Sequence, residues 1–125
     1  MIDFLRQRLM SFKWAFKGFF DLFNSHPNAQ IHLLATTVVV PAIFFFRLSS
    51  IETCLIVLCV AFVLSMEALN SALEYLSDFV SSEEDALIGK AKDIAAAAVL
   101  IAAIAATVVA GIIFLPKITA WYLSF

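Results

Sequence analysis

The sequence predicts an all-α integral membrane subunit, with three transmembrane helices behind an N-terminal amphipathic surface helix. Composition and run length carry this. Hydrophobic residues make up 63% of the 125 residues and charged residues 14%, against about 45–50% and about 25% in soluble domains. The apolar residues gather into runs at 31–46 and 94–115, both without formal charge, and at 54–66. With their flanks these runs reach the roughly 20 residues that cross a hydrocarbon core. Thirteen Phe beside three Gly suit helical surface in lipid rather than loops. The length allows one domain, residues 1–125.

The surface helix is expected over 4–23. Phe4, Leu5, Leu9, Phe12, Phe16, Phe19, Phe20 and Phe23 recur at helical spacing, with Arg6, Arg8, Lys13 and Lys17 between them. That is the pattern of a helix lying in a membrane interface. With Asp3 and Asp21, the same charges leave no uncharged core for a cleavable signal, so the chain reads as mature from Met1. Asn24–Asn28 then breaks the helix, and Pro27 suits the first turn of the next.

The first span is expected over 29–48, containing His32 and Pro41, with Arg47-Leu48-Ser49-Ser50 as a short turn. The second, 51–79, begins apolar and changes character at Glu67. Glu67, Asn70, Ser71, Glu74 and Asp78 enter at a spacing that places them on one stripe about 100° wide. Ala68, Leu69, Ala72, Leu76 and Phe79 keep the opposite side apolar. Within a lone subunit this stripe is expected to face lipid or a shallow cleft. Residues 80–91 read as a polar link. The third span, 92–115, is rich in Ala, which suits close helix packing in a membrane. Pro116-Lys117 is expected to stop it, with Trp121 and Tyr122 as an interfacial belt.

A net charge of −2 argues against a nucleic-acid partner. Cys54 and Cys59, five apart in an apolar run, read as small buried hydrophobes, and no metal-type Cys/His cluster is present. Arg6, Arg8, Lys13, Lys17, Lys90 and Lys92 fall on one side of the predicted topology, and Arg47 and Lys117 on the other. This asymmetry puts the N-terminus and the acidic link in the cytoplasm, the compartment that holds ATP.

Ionisable groups at membrane depth are functional candidates. The stripe carboxylates suit a hard divalent cation such as Mg²⁺, or a general base toward an alcohol. Lys92 and Asp93 are expected at a similar depth, where a lysine can meet phosphate or snorkel. No phosphate-binding glycine loop or soluble-kinase motif is present. The residues alone therefore leave catalysis and proton or ion transport equally open.

The blocks Glu67-Ala68-Leu69-Asn70-Ser71-Ala72-Leu73-Glu74-Tyr75-Leu76-Ser77-Asp78 and Ala91-Lys92-Asp93-Ile94-Ala95-Ala96-Ala97-Ala98-Val99 resemble the prokaryotic diacylglycerol kinase family, which includes undecaprenol kinases. The resemblance extends to Phe16-Lys17-Gly18 and Ile31-His32-Leu33. It implies a homotrimer in the bacterial cytoplasmic membrane that moves the γ-phosphoryl of MgATP to a lipid hydroxyl. It also implies roles: Glu67 as general base, Asn70 as orienting residue, Glu74 as metal ligand, and Lys92, Asp93, Glu83 and Asp85 on the nucleotide side. Trp14 and Lys17 fall near nucleotide and lipid. His26 stands where the family usually has a second metal-binding Glu, and Asp85 where it often has His. The change at His26 favours the alternative reading, a non-catalytic or ion-conducting trimer on the same scaffold.

Overall fold

In the computed structural model, which describes residues 1–80 and 85–125, the chain forms four helices: α1 (Ile2–Ser25), α2 (Pro27–Phe45), α3 (Ser50–Val80) and α4 (Ala86–Tyr122). The last three, of 19, 31 and 37 residues, are long and apolar enough to cross a membrane. At 1.5 Å per residue α3 and α4 run about 46 and 55 Å, well beyond a hydrocarbon core of about 30 Å. Large apolar side chains such as Phe44, Leu58, Phe62 and Ile101 point outward, as lipid rather than water as solvent requires.

Each junction has a local cause. Pro27 restricts the residue before it to extended backbone, and His26 has φ −115° and ψ 109°. His26 thus closes α1, its N–H donating to the Leu22 carbonyl, and opens α2 with Pro27 in its first turn. At the other end of α2, Leu48 N donates to the Ile43 carbonyl and Arg47 N to the Phe44 carbonyl. This is a Schellman closure, with Arg47 left-handed at φ 48°. Ser49 and Glu52 then make a reciprocal capping box, Ser49 N to Glu52 Oε2 at 2.7 Å and Glu52 N to Ser49 Oγ at 3.3 Å. Asp85 caps α4 by accepting from Leu87 N and Ile88 N.

Several expectations need correction. α4 does not stop at Pro116; it continues to Tyr122 with Pro116 inside it. Proline removes one backbone donor, a loss that membrane helices tolerate when neighbouring groups compensate. The carbonyl freed here is that of Ile112; beyond the proline, Thr119 Oγ1 donates to the Leu115 and Pro116 carbonyls, and Lys117 pairs with Glu52 at 3.2 Å. α4 also begins at Ala86, so residues 86–91, Lys90 among them, are helical and not part of the link. Cys54 is exposed and Cys59 half-buried; both thiols are free.

α4 packs along α3, while α2 meets α3 and α1 folds back over α2 and α3. Ile43, Ile56, Ile113 and Phe114 form a core at the end of the bundle that holds the α2–α3 turn. Among the described residues no Cα of α2 lies within 8 Å of one of α4. Those two helices touch through large rings near that end, Phe46 on Phe114 and Phe45 on Trp121, each pair with centroids 6.0 Å apart.

Candidate active site

The first part of the stripe on α3, Glu67, Asn70 and Ser71, is covered within a single subunit rather than facing lipid, while the rest of it is open. Glu67 retains 1% of its exposure, and Asn70 and Ser71 4% each. Coverage comes from the α1–α2 elbow on one side and α4 on the other, an arrangement set by the helix at Pro27 and by the small side chains of α4. Farther along, Glu74 is half-exposed and Asp78 lies open.

Glu67 and Asn70 open on a cavity of about 240 Å³, walled by Asn28 and His32 of α2 and by Val99 and Ala103 of α4. Glu67 Oε2, Asn70 Oδ1 and Ser71 Oγ are buried without a hydrogen-bond partner among the described residues. Buried polar atoms are usually satisfied. Glu67 lines the cavity and one of its oxygens has no donor within the fold, so the carboxylate has capacity to accept from an incoming O–H.

Asn70 has its other face engaged: its Nδ2 donates to Glu74 Oε1 at 3.0 Å. Across from it, His26 Nδ1 lies 3.6 Å from Glu74 Oε2. The elbow therefore delivers His26 to Glu74, and the His26 ring meets the Tyr75 ring edge-on with centroids 5.0 Å apart. Tyr75 in turn donates its hydroxyl to Asp21 Oδ2 at 3.1 Å, tying α3 to α1. Among the described residues no three His, Cys, Asp or Glu side chains converge on one point. Glu74 alone fits an ion such as Mg²⁺ that takes one or two protein carboxylates and fills its shell with phosphate oxygens and water.

Lys92 Nζ reaches Asp78 Oδ1 at 3.0 Å, so the lysine of the second motif meets the acid that ends the first. Asp93 is exposed on the next position of α4. Asp85 has its carboxylate committed to capping α4, which occupies that helix N-terminus. Trp14 and Lys17 are exposed on α1, with Lys17 Nζ 5.6 Å from the Trp14 ring centroid. Glu83 lies outside the described residues.

The structure thus brings Glu67, Asn70, Glu74 and His26 into one cluster, and Lys92 pairs with Asp78, one turn of α3 beyond Glu74. Trp14 and Lys17 are not part of this cluster. The resemblance assigns His32 no role, yet it lines the same cavity as Glu67. Its signal was present, since it is the one imidazole within an uncharged run of 31–46. Tyr75 and Asp21 gave no signal, because their contact spans 54 positions.

Known proteins of similar sequence exist. The chain is 33% identical over 114 residues to an undecaprenol kinase of Bacillus subtilis, covering 91% of this chain and 93% of that protein. It is 36% identical over 111 residues to a diacylglycerol kinase of Synechocystis, covering 88% of this chain and 63% of that longer protein. A diacylglycerol kinase of Haemophilus influenzae is 32% identical over 111 residues, 88% of this chain and 94% of that one. The profile described as prokaryotic diacylglycerol kinase matches residues 13–114, which hold the acidic stripe, the elbow and the Lys92 block, and the chain belongs to that family.

Proposed function

We propose that this protein is a lipid kinase that moves the γ-phosphoryl group of ATP to the hydroxyl of a membrane lipid, either a diacylglycerol or undecaprenol. The observation that carries this reading is Glu67: a carboxylate buried among apolar helices, lining a cavity, with one oxygen that has no hydrogen-bond partner among the described residues. The lipid O–H donates to Glu67. As the lipid oxygen bonds to the γ-phosphorus, the bond to the bridging oxygen breaks, ADP leaves, and Glu67 takes the proton.

Asn70 orients the site by holding Glu74. Glu74 is the protein ligand for Mg²⁺, which when bound offsets phosphate charge, and His26 is the second candidate ligand. Lys92 meets phosphate, and Asp93, Glu83 and Asp85 lie on the nucleotide side. Trp14 and Lys17 are exposed on α1, which supports their serving a neighbour's site in a homotrimer, with α1 as the amphipathic surface helix. The basic-residue asymmetry supports a multi-pass protein of the bacterial cytoplasmic membrane with its N-terminus in the cytoplasm.

The test is transfer from labelled ATP by purified protein in micelles supplied with either lipid. Lipid-dependent labelling of one or both is expected; none with either would overturn the reading. Mixing Glu67→Gln with Lys17→Ala subunits tests sharing, since regained turnover requires both residues to meet across a subunit boundary.

A further inference from the structure

Apart from the cavity at Glu67, a smaller one of about 110 Å³ lies between α1 and α3, with Asp21, His26, Ser71 and Tyr75 in its lining. Gly18 and Ala72, also in the lining, leave room for it. Two of its polar groups are shut away from solvent: His26 Nε2 and Ser71 Oγ are buried with no hydrogen-bond partner among the described residues, and Ser71 as a whole is 4% exposed. A third is the Asp21 carboxylate. Its Oδ1 accepts from Ser25 Oγ at 3.3 Å and its Oδ2 from the Tyr75 hydroxyl at 3.1 Å, and each oxygen has a second lone pair to offer.

The surroundings of the imidazole fix the direction of its hydrogen bonds. Nδ1 lies 3.6 Å from Glu74 Oε2, and an ionised carboxylate only accepts. A bare Nδ1 would set one lone pair against another. Nδ1 therefore carries the hydrogen and, in a neutral ring, Nε2 is the acceptor. At 3.6 Å Glu74 is too far to anchor the ring by a hydrogen bond, and the Tyr75 ring meets it only edge-on, with centroids 5.0 Å apart. A polar anchor for this ring has to reach it at Nε2.

We propose that this cavity is a water site, in which a water or a short chain of waters accepts from the Ser71 hydroxyl and donates to His26 Nε2 and to Asp21. A buried water makes about three hydrogen bonds and takes a polar site with room for it, and the cavity offers both. The consequence for the metal rests on the lipid-kinase reading. His26 is then a positioning residue and not a ligand: its lone pair is engaged by water, and its N–H steers Glu74 Oε2 while Asn70 Nδ2 holds Oε1. Mg²⁺ is left to Glu74 and phosphate oxygens, and Ser71 acts on the metal only through the water and the ring.

The test uses the full chain in nanodiscs, with histidine labelled by nitrogen-15, no nucleotide, and a pH of about 8, above the ordinary histidine range. Only His26 and His32 give ring signals, and His26→Gln tells them apart. Nitrogen–proton couplings within the ring are expected to show His26 protonated at Nδ1, with magnetisation passing to the ring from water. In Ser71→Ala the tautomer is expected to shift toward Nε2–H, the form that free imidazole favours. Protonation of Nε2 in wild type, a ring that water does not reach, or no change in Ser71→Ala overturns the proposal. A zinc-bound Nε2 signal on adding stoichiometric ZnCl₂ would put a metal ion in the cavity in place of water, and also overturns it. In turnover, Ser71→Ala is expected to raise the Mg²⁺ concentration for half-maximal activity by about two- to tenfold, as for one lost hydrogen bond. Its kcat at saturating Mg²⁺ should stay within about twofold of wild type. A fall in kcat with unchanged Mg²⁺ dependence overturns the positioning role. The spectra need no turnover, so the expected tautomer and its response to Ser71→Ala, found without any lipid phosphorylation, would refute the kinase reading while keeping the water site.

Discussion

Lys92 Nζ and Asp78 Oδ1 lie 3.0 Å apart, joining the ends of two motifs fourteen residues apart across the α3–α4 connection. Both side chains are substantially exposed, and exposed pairs contribute little stability. Their proximity therefore bears on where the ammonium sits more than on whether the fold forms. Lys92→Met is expected to lower kcat/KM for ATP by about 10- to 100-fold, the loss of one charge-assisted contact to phosphate. Its thermal midpoint should be near that of wild type. Unchanged ATP kinetics would remove Lys92 from the phosphate site.

Glu67→Gln is expected to lower kcat by about 10² to 10⁴ while leaving ATP binding intact, since an amide cannot accept the hydroxyl proton. Equilibrium binding of labelled ATP beside turnover separates the two. Near-normal turnover rules out Glu67 as the base.

His26 and Glu74 face each other at 3.6 Å. Replacing the imidazole by a carboxylate adds an oxygen donor of the kind that Mg²⁺ prefers. His26→Glu is expected to lower the Mg²⁺ concentration giving half-maximal activity and to reduce any preference for Mn²⁺. A metal titration that overlays wild type would show that position 26 does not ligate.

Arg47 holds a left-handed backbone in an exposed turn, a conformation that disfavours a Cβ by about 1–2 kcal/mol. Glycine relieves this at some expense in unfolded-state entropy. Arg47→Gly is expected to raise the thermal midpoint slightly without changing kcat. A lower midpoint would mean that Arg47 makes a stabilising contact.

Much of this was readable from the sequence because helix period and chemistry coincide. The Glu67–Asp78 spacing announced one polar face, and three apolar runs announced three long helices. His26-Pro27 located the elbow, since proline limits both itself and its predecessor. What escaped depends on tertiary packing. Pro116 reads as a stop by local rules, yet α4 continues through it to Tyr122, and Lys117 just beyond it pairs with Glu52 of α3. Asp85 reads as part of a polar link, but its carboxylate starts a helix. The cover over Glu67 comes from residues far away in sequence, Asn28 and Val99 among them, and no local pattern reports them.

Chain order has a consequence for biogenesis. Ribosomes deliver α1, α2 and α3 before α4, and chains organise from the N-terminus as they emerge. Val99 and Ala103, which wall one side of Glu67, are therefore the last cover to arrive. In the interval α3 must be held in the membrane by its apolar half, 54–66, while a carboxylate on its other half faces lipid or translocon water, a costly exposure. The α1–α2 elbow is already made and can sit against Ser71 and Glu74. A nascent chain ending near Val80 is thus a half-shielded species, and the stretch that follows times how long a membrane-embedded acid waits for its partner helix.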